Sequence, residues 1–242
     1  MIELIQTYWV YFLIGQYPQG PLGGVAATVL LAALALALAI PIGLLLGLAR
    51  VSASAWLRRP VTALVYLVRG IPLLLMVFWI YFYLPTVTGH KTDQFSTMLI
   101  ALVVFDGVYL AEIVRAGIQG VPRGQYEAAR ALGLGHARAM RRVILPQALR
   151  SMLPSLVNQF VSTIKATSLG YIIGLTEASF IATQVNSQVF VHPAGVYFLL
   201  SLFYFVLCFG LSRFAFWLEK RQARRALPRP AATPVNAAAS AA

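Results

Sequence analysis

Long apolar runs separated by short polar segments make up most of the sequence. Residues 24–49 contain no charged residue and exceed the roughly 20 residues that a helix needs to cross a bilayer. Within this run, Gly43 and Gly47 form a GxxxG pattern that permits close helix approach, contact between two chains being one possible use. Three further runs also predict membrane-spanning helices, at residues 61–84, 96–118 and 195–218.

The second run is interrupted by the residues Arg-Gly-Ile-Pro at positions 69–72. Proline cannot donate a backbone hydrogen bond, and it restrains the residue before it to an extended conformation. We therefore expect the helix to kink here or a new helix to begin.

A further span is predicted from the distribution of charge rather than from hydropathy. Residues 152–174 contain polar side chains, yet basic residues cluster both before them, at 115–150, and near the C-terminus, at 220–229. Both clusters are expected on the cytoplasmic side. Because the span at 195–218 crosses only once between them, residues 152–174 must cross as well. The prediction is an all-α integral membrane protein with five spans, its N-terminus outside and its C-terminus in the cytoplasm.

The flanking segments are predicted to lie outside this transmembrane domain of residues 24–218. Residues 1–23 lack the features of a signal peptide, and residues 2–14 are expected to form a short amphipathic or interfacial helix, with Trp9 at headgroup level. Residues 219–242 begin as a basic tail. From Ala226 onward the tail is rich in Ala and Pro, so we expect it to be disordered.

The amino-acid composition excludes several classes of protein and of binding site. With 60% hydrophobic and 11% charged residues, the chain is too apolar for a soluble domain of this length. The net charge of +12 would suit nucleic acid, but most basic residues lie between or after apolar runs, which favours contact with lipid at the cytoplasmic face and no nucleic acid. The single cysteine, Cys208, and three scattered histidines predict neither a disulfide framework nor a metal site.

The basic segment 125–150 carries an ordered motif. It reads Glu127-Ala128-Ala129, three residues, Gly133, nine residues and then Val143-Ile144-Leu145-Pro146. Small residues let another surface approach, Gly133 allows a turn between two short helices, and Pro146 is expected to stop the second helix before the next span. From the residues alone, this is either a docking element or an amphipathic hairpin with a solvated arginine face.

The motif resembles the EAA loop of permease subunits in binding-protein-dependent ABC importers, with Val143 in place of the usual isoleucine. The resemblance covers about residues 24–218, and its stretches are similar to those of the polar amino acid permease branch. The stretches that carry it are RGIPLLL at 69–75, YLAEIVRAGI at 109–118, VPRGQYEAARALG at 121–133, RRVILPQALR at 141–150 and NQFVSTIKATSL at 158–169.

This resemblance implies the type I ABC importer permease fold and several partners. Two permeases, identical or paralogous, would form the pore above two ATPase subunits, and an external binding protein would deliver the substrate. The coupling residues in the loop 119–150 would be Glu127, Ala128, Ala129, Gly133, Leu145 and Pro146. The sequence contains no G-x-x-x-x-G-K-[ST] phosphate-binding loop, so ATP must be hydrolysed by another subunit. The chain is thus expected to be neither an enzyme nor the holder of a cofactor.

Ionisable side chains at membrane depth normally carry a role. We hypothesise that Asp106, with Asn158 and Gln159, lines a polar pocket that meets the amino group of the substrate, and Lys165 is a further candidate. The family's acidic residue after this lysine is Ala166 here. Two structural alternatives remain open: an Asp106–Arg69 bridge, and a local ion pair between Glu112 and Arg115.

The substrate remains open within the family resemblance. A polar amino acid is the first expectation, and an opine, a compatible solute or cystine is the alternative. A membrane-embedded enzyme or sensor is the alternative of a different class, although the scattered histidines offer no clustered acid, base or metal residues.

Overall fold

The computed structural model describes residues 2–189 and 193–226, in which every regular element is helical. In chain order the helices are α1 (Ile2–Ile14), α2 (Gly24–Arg50), α3 (Ala55–Arg69), α4 (Leu73–Phe78), α5 (Leu84–Thr88), α6 (Gln94–Gln119), α7 (Arg123–Ala131), α8 (His136–Ala139), α9 (Leu145–Ala166), α10 (Ala178–Val189) and α11 (Pro193–Ala226). Two π-helical turns, Trp79–Tyr83 and Met140–Ile144, and a 3-10 helix, Thr167–Ile173, continue neighbouring helices. The all-α prediction is confirmed.

The helices α2 and α6 form the central packed pair. Gly43 and Gly47 of α2 lie against α6 so closely that a Cβ atom at either position would overlap the side chains of Leu110 and Val114. The predicted close approach is confirmed. These glycines serve a contact inside one chain, because the facing surface is α6 of the same chain.

The second predicted span is a broken helix. α3 and the α4–α5 segment are bent by 95° at the break, and Pro72 stands immediately before α4. The amide of Gly70 still donates to the Tyr66 carbonyl at 3.0 Å, so α3 closes its last turn before the chain changes direction. The predicted break at residues 69–72 is confirmed.

Four of the five predicted spans are long and apolar enough to cross a membrane: α2, α6, α11 and, as one bent unit, α3 with α4–α5. The remaining one, α9 with its 3-10 extension, packs against α2, α6 and α11, and its polar side chains keep it below that level of hydropathy. It also begins earlier than the predicted residue 152, because helix α9 already includes Leu145.

The predicted N-terminal helix matches α1, but it does not lie free at the interface. Phe12 is fully buried against Ile181 and Val185 of α10, and its ring stacks on Phe203 of α11 at 5.8 Å. At the other end, α11 continues to Ala226, so the first part of the predicted tail is helical. The stretch from residue 227 that is predicted to be disordered lies outside the described residues.

Candidate functional site

The segment after α6 forms the predicted pair of short helices. α7 ends at Ala131, and Gly133 takes a φ of 78°, a left-handed conformation that glycine adopts without a Cβ clash. The Leu134 amide donates to the Ala129 carbonyl at 3.1 Å, which closes the turn. The Tyr126 hydroxyl lies 3.0 Å from Nδ1 of His136 and joins α7 to α8. The turn predicted at Gly133 is confirmed.

The outer surface of this segment is open. Glu127, Ala128 and Gly133 are exposed, whereas Ala129 is buried against the rest of the chain. Leu132, which was not among the predicted coupling residues, is 83% exposed at the end of α7. Its signal in the sequence is a large apolar residue beside Gly133 in a basic segment. An exposed leucine beside small residues can seat in a groove on another protein.

Pro146 does not stop the second helix, and that prediction is wrong. The chain stays helical from α8 through the π-turn Met140–Ile144 into α9, in which Pro146 occupies the first turn. The other π-turn, Trp79–Tyr83, also directly precedes a Leu-Pro pair, at Leu84-Pro85. A wider turn accommodates the proline ring and its missing N–H, so the helix continues instead of ending.

A cluster of three arginines around Glu112 joins α2, α3 and α6. Nη1 of Arg50 donates to Glu112 at 2.6 Å, Arg69 lies 3.7 Å from the same carboxylate, and Arg115 pairs with it from the next helical turn. The Glu112–Arg115 ion pair is therefore confirmed. Arg69 stacks over the ring of Tyr109 and pairs with Glu112 rather than with Asp106, so that bridge does not form.

Arg50 is the buried member of this cluster, with a side chain only 2% exposed. It was not predicted from the sequence, because its carboxylate partner lies on a different helix. The sequence signal for a role of Arg50 was its position directly after the long apolar run 24–49. Since a buried charge needs a partner, Glu112 fixes the ends of α2 and α3 against α6.

Asp106 is 1% exposed and connects α6 to α9. Nε2 of Gln159 donates to one carboxylate oxygen at 2.8 Å, and the Thr163 hydroxyl lies 2.9 Å from the other. The structure thus brings Asp106 and Gln159 together as expected. Both carboxylate oxygens of Asp106 thus accept hydrogen bonds from the same chain. These contacts hold α6 and α9 in register and orient Gln159.

The other two substrate candidates lie on a different face. Asn158 and Lys165 of α9 are exposed, as are Ser155 and Ser162. The spacing of these four residues places them on one side of the helix. A polar face that includes a lysine is costly against hydrocarbon, so it has to be covered by protein or water.

Glu177, at the start of α10, is a fully buried carboxylate that was not among the predicted site residues. It accepts hydrogen bonds from the backbone amides of Ser179 and Phe180 at 2.9 and 3.0 Å, and from the hydroxyl of Tyr204 at 3.0 Å. It thereby caps α10 and ties it to α11. Burial raises the pKa of this carboxyl to about 7, against the lowering effect of these hydrogen bonds.

This pKa gives a testable pH dependence. A carboxyl raised from 4.5 to about 7 contributes stability that is fully present below pH 4.5 and is lost as the pH rises through 7. We expect the free energy of unfolding to fall by roughly 2 kcal/mol between about pH 5 and pH 8. Thermal melts of the wild type and Glu177→Gln across this range measure it. A pH slope that is unchanged in Glu177→Gln would assign the dependence to other groups.

Comparison with known proteins identifies the family. Residues 39–224 match the family described as "Binding-protein-dependent transport system inner membrane component". The chain is 40% identical over 195 residues to the probable glutamine ABC transporter permease protein GlnM of Bacillus subtilis, covering 80% of this chain and 89% of that protein. It is 36% identical over 222 residues to the inner membrane amino-acid ABC transporter permease protein YhdY of Escherichia coli, covering 88% of this chain but only 59% of that longer relative.

Solved structures agree with the fold. The crystal structure of an amino acid ABC transporter with histidines superposes with a TM-score of 0.76 at 33% identity, covering 82% of this chain and 92% of that one. The MetNI methionine ABC transporter, at 23% identity and a TM-score of 0.63, shares the fold over 80% of this chain and 91% of that one. The chain belongs to the family of inner membrane components of binding-protein-dependent transport systems, as the permease of an ABC importer.

Proposed function

We propose that this permease carries polar amino acids inward, driven by ATP hydrolysis on a separate subunit. The observation that carries the substrate class is the identity of 36 to 40% to two permeases named for glutamine transport, of which the chain covers nearly the full length. A second permease, identical or paralogous, would complete the pore. An extracytoplasmic binding protein would deliver the substrate.

The α7–α8 segment is proposed as the surface that docks on the ATPase, with Glu127, Ala128 and Gly133 at the contact and Leu132 as its apolar anchor. The buried Ala129 would contribute by letting α7 pack closely against the rest of the chain. Leu145 and Pro146, at the start of α9, would pass its movement to the span. The support is geometric: the segment is exposed and basic, yet it continues through a helical π-turn into α9. The arginines around it favour the cytoplasmic side, which leaves the N-terminus outside and the C-terminus inside.

The polar face of α9 is proposed to line the substrate path. Asn158 and Lys165 would meet the substrate there, while Asp106 acts through its hydrogen bond to Gln159. A second permease facing α9 would cover this polar surface and enclose water between the two chains. The carboxylate of an amino acid suits Lys165, and its amino group suits the amide oxygens.

Asn158→Leu tests this face. If Asn158 meets the substrate, uptake should fall by about tenfold, the usual cost of losing one such hydrogen bond. If it faces lipid, the apolar side chain should leave uptake unchanged or increase the yield of folded protein. Uptake of labelled amino acid into proteoliposomes distinguishes these outcomes, with Asn186→Leu on α10 as the matched control.

A related zwitterion is the second candidate substrate. Relatives at 34 and 36% identity are named as an octopine permease of Rhizobium meliloti and an L-cystine permease of Bacillus subtilis. The names of these relatives give no support to a compatible solute. Because the chain belongs to a transport family, the membrane-embedded enzyme considered from the sequence is set aside. No feature of residues 2–189 and 193–226 favours a sensor.

The substrate is tested with the purified complex and its binding protein. ATP hydrolysis should rise when a polar amino acid is added, and octopine and cystine form the competing arms of the same screen. Stimulation by one of those two alone would replace the proposed substrate class. The importer assignment would still hold in that case.

A further inference from the structure

A basic pocket lies where the end of α2 meets the start of α3 and the helices α7 and α8. Its volume is about 710 Å³, and its wall includes Arg50, Arg58 and Arg123. Among the described residues that line it, Glu127 is the one carboxylate. Since guanidinium groups stay charged at every physiological pH, the wall carries a net positive charge.

Arg50 gives an independent sign that the pocket takes an anion. One end of its guanidinium donates to Glu112, but its Nε atom is buried and has no hydrogen-bond partner among the described residues. Buried donors are almost always paired, and an unpaired one on a charged group is especially unfavourable. The pocket wall therefore holds a buried cation whose donors the chain does not fully use.

The depth of the pocket indicates where the anion comes from. α2 spans the membrane and ends at Arg50, so the pocket begins at the level of the lipid headgroups. Beside it, α3 starts with Trp56, which is 93% exposed, and the exposed Leu57. Arg58 and Arg59 follow at once, and they also line a neighbouring cavity of about 480 Å³. Tryptophan next to basic residues is typical of the boundary between headgroups and acyl chains.

We propose that this pocket binds the phosphate of an anionic phospholipid headgroup through Arg50, Arg58 and Arg123, with the acyl chains against Trp56 and Leu57. Its assignment to the cytoplasmic leaflet rests on the orientation in the proposed function, while the site itself goes beyond that function. A bound headgroup would touch both the end of α2 and the coupling helix α7. It would thus connect the membrane surface to the element that meets the ATPase.

The test is binding of fluorescent phosphatidylglycerol to the purified full-length transporter in detergent, with phosphatidylcholine as the zwitterionic comparison. The double variant Arg58→Gln/Arg123→Gln removes two exposed ligands and leaves the buried Arg50–Glu112 pair intact. The control Arg138→Gln/Arg221→Gln removes the same charge from exposed positions outside the pocket. Inorganic phosphate is added separately as a competitor.

The pocket variant should bind phosphatidylglycerol roughly 25-fold more weakly, about fivefold for each arginine, while the control changes by less than about twofold. Equal weakening in both double variants would reduce the effect to net charge and overturn the site. Unchanged binding in the pocket variant would overturn it as well. Displacement of the lipid by millimolar phosphate would support the anion site but overturn its lipid identity. None of these outcomes bears on uptake, so they are separable from the proposed function.

Discussion

Replacing Gly133 by Asp should abolish ATP-driven uptake while the permease remains inserted. The added carboxylate enters the turn between α7 and α8, where the structure leaves open space around the glycine. A Cβ atom there would meet no other atom of the chain within 4 Å, so a loss greater than backbone strain alone causes would come from the surface that meets the ATPase. Uptake and ATP hydrolysis in proteoliposomes, together with copurification of the ATPase, measure the effect.

Backbone strain is the competing explanation, and the chain offers a matched control. Gly89 has a φ of 71°, close to the 78° of Gly133, and it likewise has open space around it. Gly89 lies before the start of α6, whereas Gly133 lies after its end. The 26 residues of α6 hold these two ends about 39 Å apart. Gly89→Asp should therefore keep near-normal uptake. Equal losses in both variants would make strain, rather than docking, the cause.

Replacing Glu112 by Ala should destabilise the folded permease by about 3 to 5 kcal/mol. The change removes the carboxylate from three arginines at once, and Arg50 is left buried without a counter-charge. The melting temperature in detergent and the yield of folded protein measure the loss. The helices α2, α3 and α6 should loosen together, because Glu112 joins all three.

Arg115→Ala is the matched control, because it breaks the i, i+3 pair of the same carboxylate, in which the arginine side chain is 29% exposed rather than buried like that of Arg50. Ion pairs one helical turn apart contribute only about 0.5 kcal/mol, so this variant should melt much closer to the wild type than Glu112→Ala does. In the double variant Arg50→Met/Glu112→Leu, apolar groups replace the buried pair, and much of the stability lost in Glu112→Ala should return. Similar losses in Glu112→Ala and Arg115→Ala would contradict the role given to Arg50.

Local features of the fold were predictable where a residue type strongly favours one backbone conformation. The turn at Gly133 follows from its need for a positive φ, and the break in the second span follows from the residues before and at Pro72. The same reasoning gave the wrong prediction that Pro146 ends a helix, because a π-turn lets the helix continue past this proline. Sequence alone does not say whether the helix breaks at a proline or continues past it through a wider turn.

Contacts between distant helices were harder to predict. The charge pattern placed Glu112 and Arg115 one turn apart, but Arg50 reaches the same carboxylate from 62 residues earlier in the chain. Glu177 caps α10 through the nearby amides of Ser179 and Phe180, but its side-chain partners Thr28 and Tyr204 come from two other helices. The polar residues of α9 were visible in the sequence. Their division into the partly buried contact at Gln159 and the exposed face at Asn158 depends on how α6 packs.

The most direct test of the coupling account is photo-crosslinking from the α7–α8 surface in the assembled transporter. A benzoylphenylalanine at position 132 replaces an exposed leucine at the end of α7, and one at position 87 replaces an exposed valine in α5, before the other end of α6. We predict an adduct with the ATPase subunit from position 132 and none from position 87. Crosslinking to the ATPase from position 87, or none from position 132 in a complex that still transports, would contradict the assignment of α7–α8 as the coupling element.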